Sequence, residues 1–211
     1  MSYSEIHRED IARLFDRHPA AAVQAAVTFA LLTIQQAFET VETQIESFKK
    51  DGTSSHYLWG SKDLGVAYVV ENADRLAALL RLAKQNDDTI DAIDTLLEIP
   101  GLGIIKAGFV AQLLGLPDAG CIDTHNARIY DVDLEGFRFR EGGKASTRIA
   151  KISTYVHLCK RLGGSESLWD VWCEYVAALR PKKWDSAWDV SRYHVDCVAE
   201  LFGHFHEKYD H

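Results

Sequence analysis

The chain has 211 residues, 47% hydrophobic and 26% charged, with 14 glycines and 4 prolines, an ordinary globular composition that excludes disordered, collagen-like and disulfide-scaffold classes. A chain of this length buries about 70% of its unfolded surface, enough for one large domain or two lobes sharing an interface, with no metal or disulfide needed to hold it. Twenty-three Lys and Arg against 31 Asp and Glu leave a net charge of −8, which argues against nonspecific coating of nucleic acid but not against a local basic patch.

The polar N-terminus, residues 1–10, carries no apolar run with a small-residue cleavage site, so no secretory signal is expected and a cytoplasmic location is. Ile11, Leu14 and Phe15 share one face of a helix predicted over 10–17, and Pro19 at a first-turn position opens a second helix predicted to run through Phe48. Its apolar stretch, 20–32, is interrupted by Gln24 and Thr28 and falls short of the ~20 residues that span a bilayer. It reads as a core helix, and no membrane partner is expected. Residues 51–63 form a loop rich in turn residues that exposes Tyr57 and Trp59. Asn72 or Asp74 caps a helix carrying Leu76, Leu79, Leu80 and Leu82; Asp87 or Asp88 caps the next, 89–98, which Pro100 stops. Further helices are predicted at about 103–115, 146–162, 165–179 and 186–207. No alternating run is long enough to build a sheet, so the fold class is all-α.

Cys121, Cys159, Cys173 and Cys197 lie 38, 14 and 24 positions apart, which fits neither paired zinc ligation nor a tight iron–sulfur run, and they read as separate reduced thiols in packed helices. Trp169, Trp172, Tyr175, Trp184, Trp188 and Tyr193 fall at helical spacings and read as core. Four histidines from His194 to the C-terminus are too irregularly spaced to argue for a metal site. Residues 138–162 carry Arg138, Arg140, Lys144, Arg148, Lys151, Lys160 and Arg161 against Glu141 alone, +6, leaving −14 on the rest of the chain. Such a strip is either a solvated helix face neutralised by its neighbours or a docking strip for phosphates.

The segment 95–129 carries the chemistry. A helix ending at Ile99-Pro100, then Gly101-Leu102-Gly103, then a second helix starting at once, is a hairpin whose glycines allow a tight, side-chain-free turn. The unpaired N–H groups at the second helix start form an anion site that can hold a DNA phosphate without any basic side chain. Further on, Asp123 in Cys121-Ile122-Asp123-Thr124-His125 stands at a predicted helix start, where the dipole and free N–H groups stabilise a carboxylate.

The hairpin, the amphipathic helix, Gly115-Leu116-Pro117 and the Asp123-Thr124-His125 segment together resemble the helix-hairpin-helix (HhH-GPD) DNA glycosylase superfamily, in which an LPGVG hairpin is followed by a helix and a VDTH segment. The resemblance implies a two-lobed helical fold spanning 1–211 with a central DNA cleft, one lobe at about 26–119 carrying the hairpin (95–115) and the other built from about 1–25 plus 120–211. It implies duplex DNA as partner, a flipped nucleotide, backbone contacts at Gly101, Leu102, Gly103 and Ile104, and Asp123 facing the reaction centre, with His125 a weaker candidate. Two departures stand out. The nucleophilic lysine of the lyase-type members corresponds to Ile105, with Lys106 one position later, about 100° around a helix, and a branched alkyl side chain forms no Schiff base. The four-cysteine iron–sulfur loop of one branch is also missing.

Gly103 to Gly115 with Cys121 to Asn126 further resembles phage-encoded relatives associated with thymine hypermodification, in which an amino acid or polyamine is attached to pyrophosphate-activated 5-hydroxymethyluracil in DNA. That resemblance implies an amine or amino-acid donor as second partner and a location in the host cytoplasm. Asp123 would take the proton of the amine, with Lys106 and the strip residues Lys144, Arg148 and Lys151 offsetting the leaving pyrophosphate. Tyr57, Trp59 and Asn126 are the candidates for a base pocket or wedge. The resemblance implies no required cofactor, and it allows a monovalent cation at the hairpin. A monofunctional glycosylase is the alternative enzyme, and a non-catalytic hairpin module that only binds DNA is the reading from another class.

Overall fold

The computed structural model describes residues 3–33, 36, 38–51, 61–138, 144–179 and 184–207, and among these the fold is all-α, with no strand. In chain order the helices are α1 (Tyr3–Arg17), α2 (Pro19–Leu32), α3 (Phe38–Asp51), α4 (Ser61–Glu71), α5 (Ala73–Gln85), α6 (Thr89–Leu96), α7 (Ile104–Leu113), α8 (Thr124–Tyr130), α9 (Ala145–Arg161), α10 (Gly164–Ala178) and α11 (Ala187–His206), with a single 3-10 turn at Glu135–Phe137. Tyr57, Trp59 and Arg140 lie outside the described residues.

The centre of the molecule is α2. It is apolar all round and buried from Ala21 to Leu32, the signature of a helix enclosed by others rather than one lying on a surface. Helices α1, α4, α5, α7 and α11 pack on it, and the buried apolar side chains of all these elements join one contiguous core. Pro19 opens α2 as the sequence predicts. The predicted continuation to Phe48 is corrected: α2 stops at Leu32, where the Thr33 hydroxyl donates to the Ala30 carbonyl at 2.9 Å and its N–H to Phe29, the side-chain bond by which threonine competes with helix propagation.

Two further elements differ from expectation. Helix α1 begins seven residues before Asp10, and the loop read at 51–63 gives way to α4 at Ser61. Gly65 explains why α4 sits where it does: a Cβ there would lie 2.2 Å from the Pro100 carbonyl oxygen and 3.0 Å from Leu31, so the helix rests directly on the glycine hairpin. Asp88 caps α6 by accepting from Asp91 N (3.0 Å), whereas Asn72 precedes α5 without a side-chain cap, its amide donating to the Tyr68 carbonyl instead.

Trp169, Trp172 and Trp184 are buried as expected, but Trp188 is 44% exposed, its ring meeting His7 edge-on at 4.2 Å. All four cysteines are buried free thiols, and burial pushes Cys121, Cys159 and Cys197 up to about 12, so they stay protonated and inert at neutral pH. Among the described residues no helix is long and apolar enough to cross a membrane, and no group of three or more side chains is placed to hold a metal ion.

Candidate active site

The hairpin is formed as the glycines require. Gly101 takes φ +87°, open to glycine at no steric cost, and the Leu102 N–H closes the turn on the Ile99 carbonyl. Gly103 is different: its backbone is extended, nothing lies within 4 Å of where its Cβ would be, and it caps α7 without a side-chain bond. The first N–H groups of α7 therefore open onto a cleft of about 810 Å³ that runs from Leu97 through the hairpin to Lys106 and is closed by Arg138 and Lys151. Among the described residues, the two carboxylates lining this cleft are paired, Glu98 with Arg75 at 2.7 Å and Glu135 with Arg138 at 3.0 Å.

The route from α7 to Asp123 is fixed by a buried polar network. Gly115, at φ +85°, reverses the chain after α7, with Leu116 N–H donating to Ala111 O. Ser165 at the start of α10 donates its backbone N–H to Pro117, and its hydroxyl accepts from Ala119 N (3.2 Å) and donates to Ala119 O (2.7 Å). Gln112 of α7 closes the loop on the Ser165 carbonyl at 2.8 Å. From α9, the buried Tyr155 hydroxyl donates to Gly120 O (2.6 Å) and accepts from Ile122 N (3.2 Å). Each bond satisfies a backbone group that burial would otherwise leave unpaired.

Asp123 then caps α8. Its Oδ1 accepts from the N–H groups of His125 (2.9 Å) and Asn126 (3.0 Å), and its Oδ2 accepts from the indole N–H of Trp172 at 3.1 Å. Three donors fix the carboxylate plane, and Oδ2 keeps a lone pair for a further partner. The carboxylate lines a cavity of about 420 Å³ with Thr33, Gln36, Ile105, Lys106, Phe109, Cys121, Thr124, His125, Leu134, Trp172 and His194, within the size range of small-ligand sites. Ile105 and Lys106 also line the hairpin cleft, so the two recesses adjoin along the first turn of α7.

Lys106 enters this cavity despite its offset in the sequence, half-buried, its ammonium donating to the Thr33 hydroxyl at 3.3 Å and lying 5.2 Å from the centre of the Phe109 ring. His125 lines the cavity with its ring 5.5 Å from Tyr175. Asn126 does not line it: fully buried, its amide donates to the Cys121 carbonyl at 2.6 Å and locks the turn. Arg128 is exposed.

In the basic strip, Lys151 belongs to the hairpin cleft and donates to the Arg138 carbonyl. Arg148 instead ties α9 to α6 through a two-point ion pair with Asp94, Nε to Oδ1 at 2.6 Å and Nη2 to Oδ2 at 2.9 Å. Lys144 stands exposed at the entry to α9. Of the strip, the hairpin cleft thus draws on Arg138 and Lys151.

Compared with known protein families, characterised proteins and solved structures, the chain matches none at a significant level.

The cavity also recruits residues the sequence did not single out for chemistry. Trp172 sits 49 positions from the carboxylate it holds, and His194 reaches the cavity from α11. Burial is the main cause that pushes His194 down to about 3, with the nearby Lys106 ammonium adding to it. The imidazole is therefore neutral in the folded protein and protonated in the unfolded chain below about 6.5, so the unfolded state binds the extra proton and stability falls with acidity. This contribution is complete above 6.5 and is lost as pH drops from 6.5 toward 3. Against a His194→Phe variant, wild-type chemical denaturation between pH 6 and 4 should lose an additional ~1.4 kcal/mol per pH unit; parallel curves would show that His194 is not buried neutral.

Proposed function

We propose that this protein is a DNA-base-directed enzyme that draws a modified pyrimidine out of the duplex and transfers an amine or amino acid onto pyrophosphate-activated 5-hydroxymethyluracil. The observation that carries this reading is Asp123: a carboxylate fixed by three donors, with a lone pair left over, on a cavity of about 420 Å³ that adjoins a glycine hairpin presenting unpaired N–H groups. The hairpin holds the DNA backbone, and the neighbouring cavity takes the extruded base.

In the reaction, the neutral amine attacks the exocyclic methylene carbon, the C–N bond forms as the C–O bond to the pyrophosphate breaks, and the electron pair leaves with the pyrophosphate. Asp123 Oδ2 accepts the proton released from nitrogen, and Lys106 on the same cavity offsets the charge of the departing group. The same carboxylate facing a nucleoside-sized cavity suits hydrolysis of an N-glycosidic bond, with water in place of the amine, which makes base excision the second reading.

Mass spectrometry of nucleosides, after incubating protein with amines and a duplex containing the activated base, separates these outcomes. A nucleoside heavier by the amine, with pyrophosphate released, supports transfer. Alkali-labile abasic sites support excision. Unchanged DNA that the protein nonetheless binds overturns both and leaves a binding module. Lys151→Ala is expected to weaken duplex binding and to lower the slope of log affinity against log salt by about 0.9, the release of one counterion; an unchanged slope in a salt titration by anisotropy would take Lys151 out of the interface.

A further inference from the structure

Lys106 stands where the two recesses meet: it lines both the hairpin cleft and the Asp123 cavity. A lysine head is a point charge with three N–H donors on a flexible four-carbon stem, so at such a junction it has two places to go. On the reading above, the cleft offers it a DNA phosphate and the cavity offers it the leaving group. Both groups that hold the ammonium belong to the cavity. The Thr33 hydroxyl accepts from it at 3.3 Å and the Phe109 ring centre lies 5.2 Å away, and both residues line the cavity but not the cleft.

We propose that Thr33 is a positioning residue that assigns the Lys106 ammonium to the Asp123 cavity, where it meets the departing pyrophosphate, and keeps it off the DNA backbone in the hairpin cleft. The proposal rests on the DNA-base reading above and adds what divides the work of the two recesses. The Thr33 hydroxyl donates its hydrogen to the Ala30 carbonyl at 2.9 Å, so its oxygen meets Lys106 with a lone pair and the bond has one polarity. Thr33 also ends α2, and the carbonyl end of a helix gathers partial negative charge that favours a cation. The Phe109 ring face adds a cation–π attraction on the same side.

The test uses the full chain and a duplex carrying the pyrophosphate-activated base, read by single-turnover nucleoside analysis and by anisotropy across a salt series. Thr33→Val, which keeps the shape and loses the hydroxyl, is expected to slow transfer about fivefold to tenfold, the loss of one hydrogen bond. At the same time the slope of log affinity against log salt should steepen by about 0.9, because the released ammonium takes a backbone phosphate; a merely structural loss would not add a phosphate contact. Thr33→Ser should restore both, and in a Lys106→Met background Thr33→Val should change neither. In the free protein, the two Hε protons of Lys106 should resonate apart in the wild type and merge in Thr33→Val, a readout that needs no DNA. Wild-type rate and slope in Thr33→Val, a loss that persists in the Lys106→Met background, or Hε resonances already merged in the wild type overturn the role of Thr33 while leaving the DNA reading intact. A wild-type protein that leaves the activated duplex unbound or unchanged overturns the DNA-base reading itself, and this proposal with it.

Discussion

Asp123→Asn is expected to lower turnover on the activated duplex by at least about a hundredfold, the scale of a lost general base, while duplex affinity stays within a few fold. Asparagine is as good an N-cap as aspartate, so the start of α8 survives. The amide has one oxygen where the carboxylate has two, and it cannot accept from both the α8 N–H groups and the Trp172 indole. A stability loss of about 1 kcal/mol follows from that lost hydrogen bond. Single-turnover nucleoside analysis alongside anisotropy checks the separation: equal rates for wild type and variant would remove Asp123 from the chemistry, and equal losses of rate and affinity would make it a scaffold.

Gly108→Ala is expected to cause the larger structural effect. A Cβ at this position of α7 would lie 2.6 Å from Tyr155 Cε1, 2.8 Å from the Gly120 carbonyl oxygen and 3.0 Å from the Tyr155 hydroxyl. None of these is the free end of a flexible side chain; Tyr155 is wholly buried, and its hydroxyl holds the chain on both sides of Cys121. Overpacking costs about 1–3 kcal/mol and a broken buried hydrogen bond about the same, against about 1 kcal/mol gained from alanine's helix propensity. The net loss is about 2–3 kcal/mol, or a fall in Tm of about 5–10 °C for a chain of this size. Gly103→Ala, whose Cβ would meet nothing within 4 Å, serves as the control: it carries only the N-cap preference of glycine over alanine, and its melting temperature should fall by less than half as much. A melting curve for Gly108→Ala matching wild type would show that α7 and α9 are less tightly apposed than described.

The contrast between these two glycines bears on what a sequence discloses. The hairpin and the Asp123 cap were legible because each is local: Gly101, Gly103 and a carboxylate three residues before a helical N–H declare themselves within a few positions. The helices of the C-terminal half were legible for the same reason, from their apolar spacing. What could not be read is held by partners far apart in the chain. Trp172 looks like any core tryptophan at helical spacing, and only the fold brings its indole to Asp123. His194 stands among scattered C-terminal histidines, with nothing local to distinguish the one that reaches a cavity. Gly65 and Gly108 need no special φ, so no turn signal marks them; they are small because Pro100 and Tyr155 press on them. Arg148 shows the converse, a basic residue in a promising strip that Asp94 of another helix engages.

The most direct test of the account is whether a nucleotide leaves the duplex and enters the Asp123 cavity. A duplex carrying a single 5-fluoro-2′-deoxyuridine, titrated with the full chain and followed by fluorine NMR, reports the surroundings of that base alone. A new resonance displaced from the stacked position is predicted, growing with protein for wild type and Asp123→Asn alike. A fluorine signal that stays at the stacked position while the duplex is saturated with protein would contradict the account.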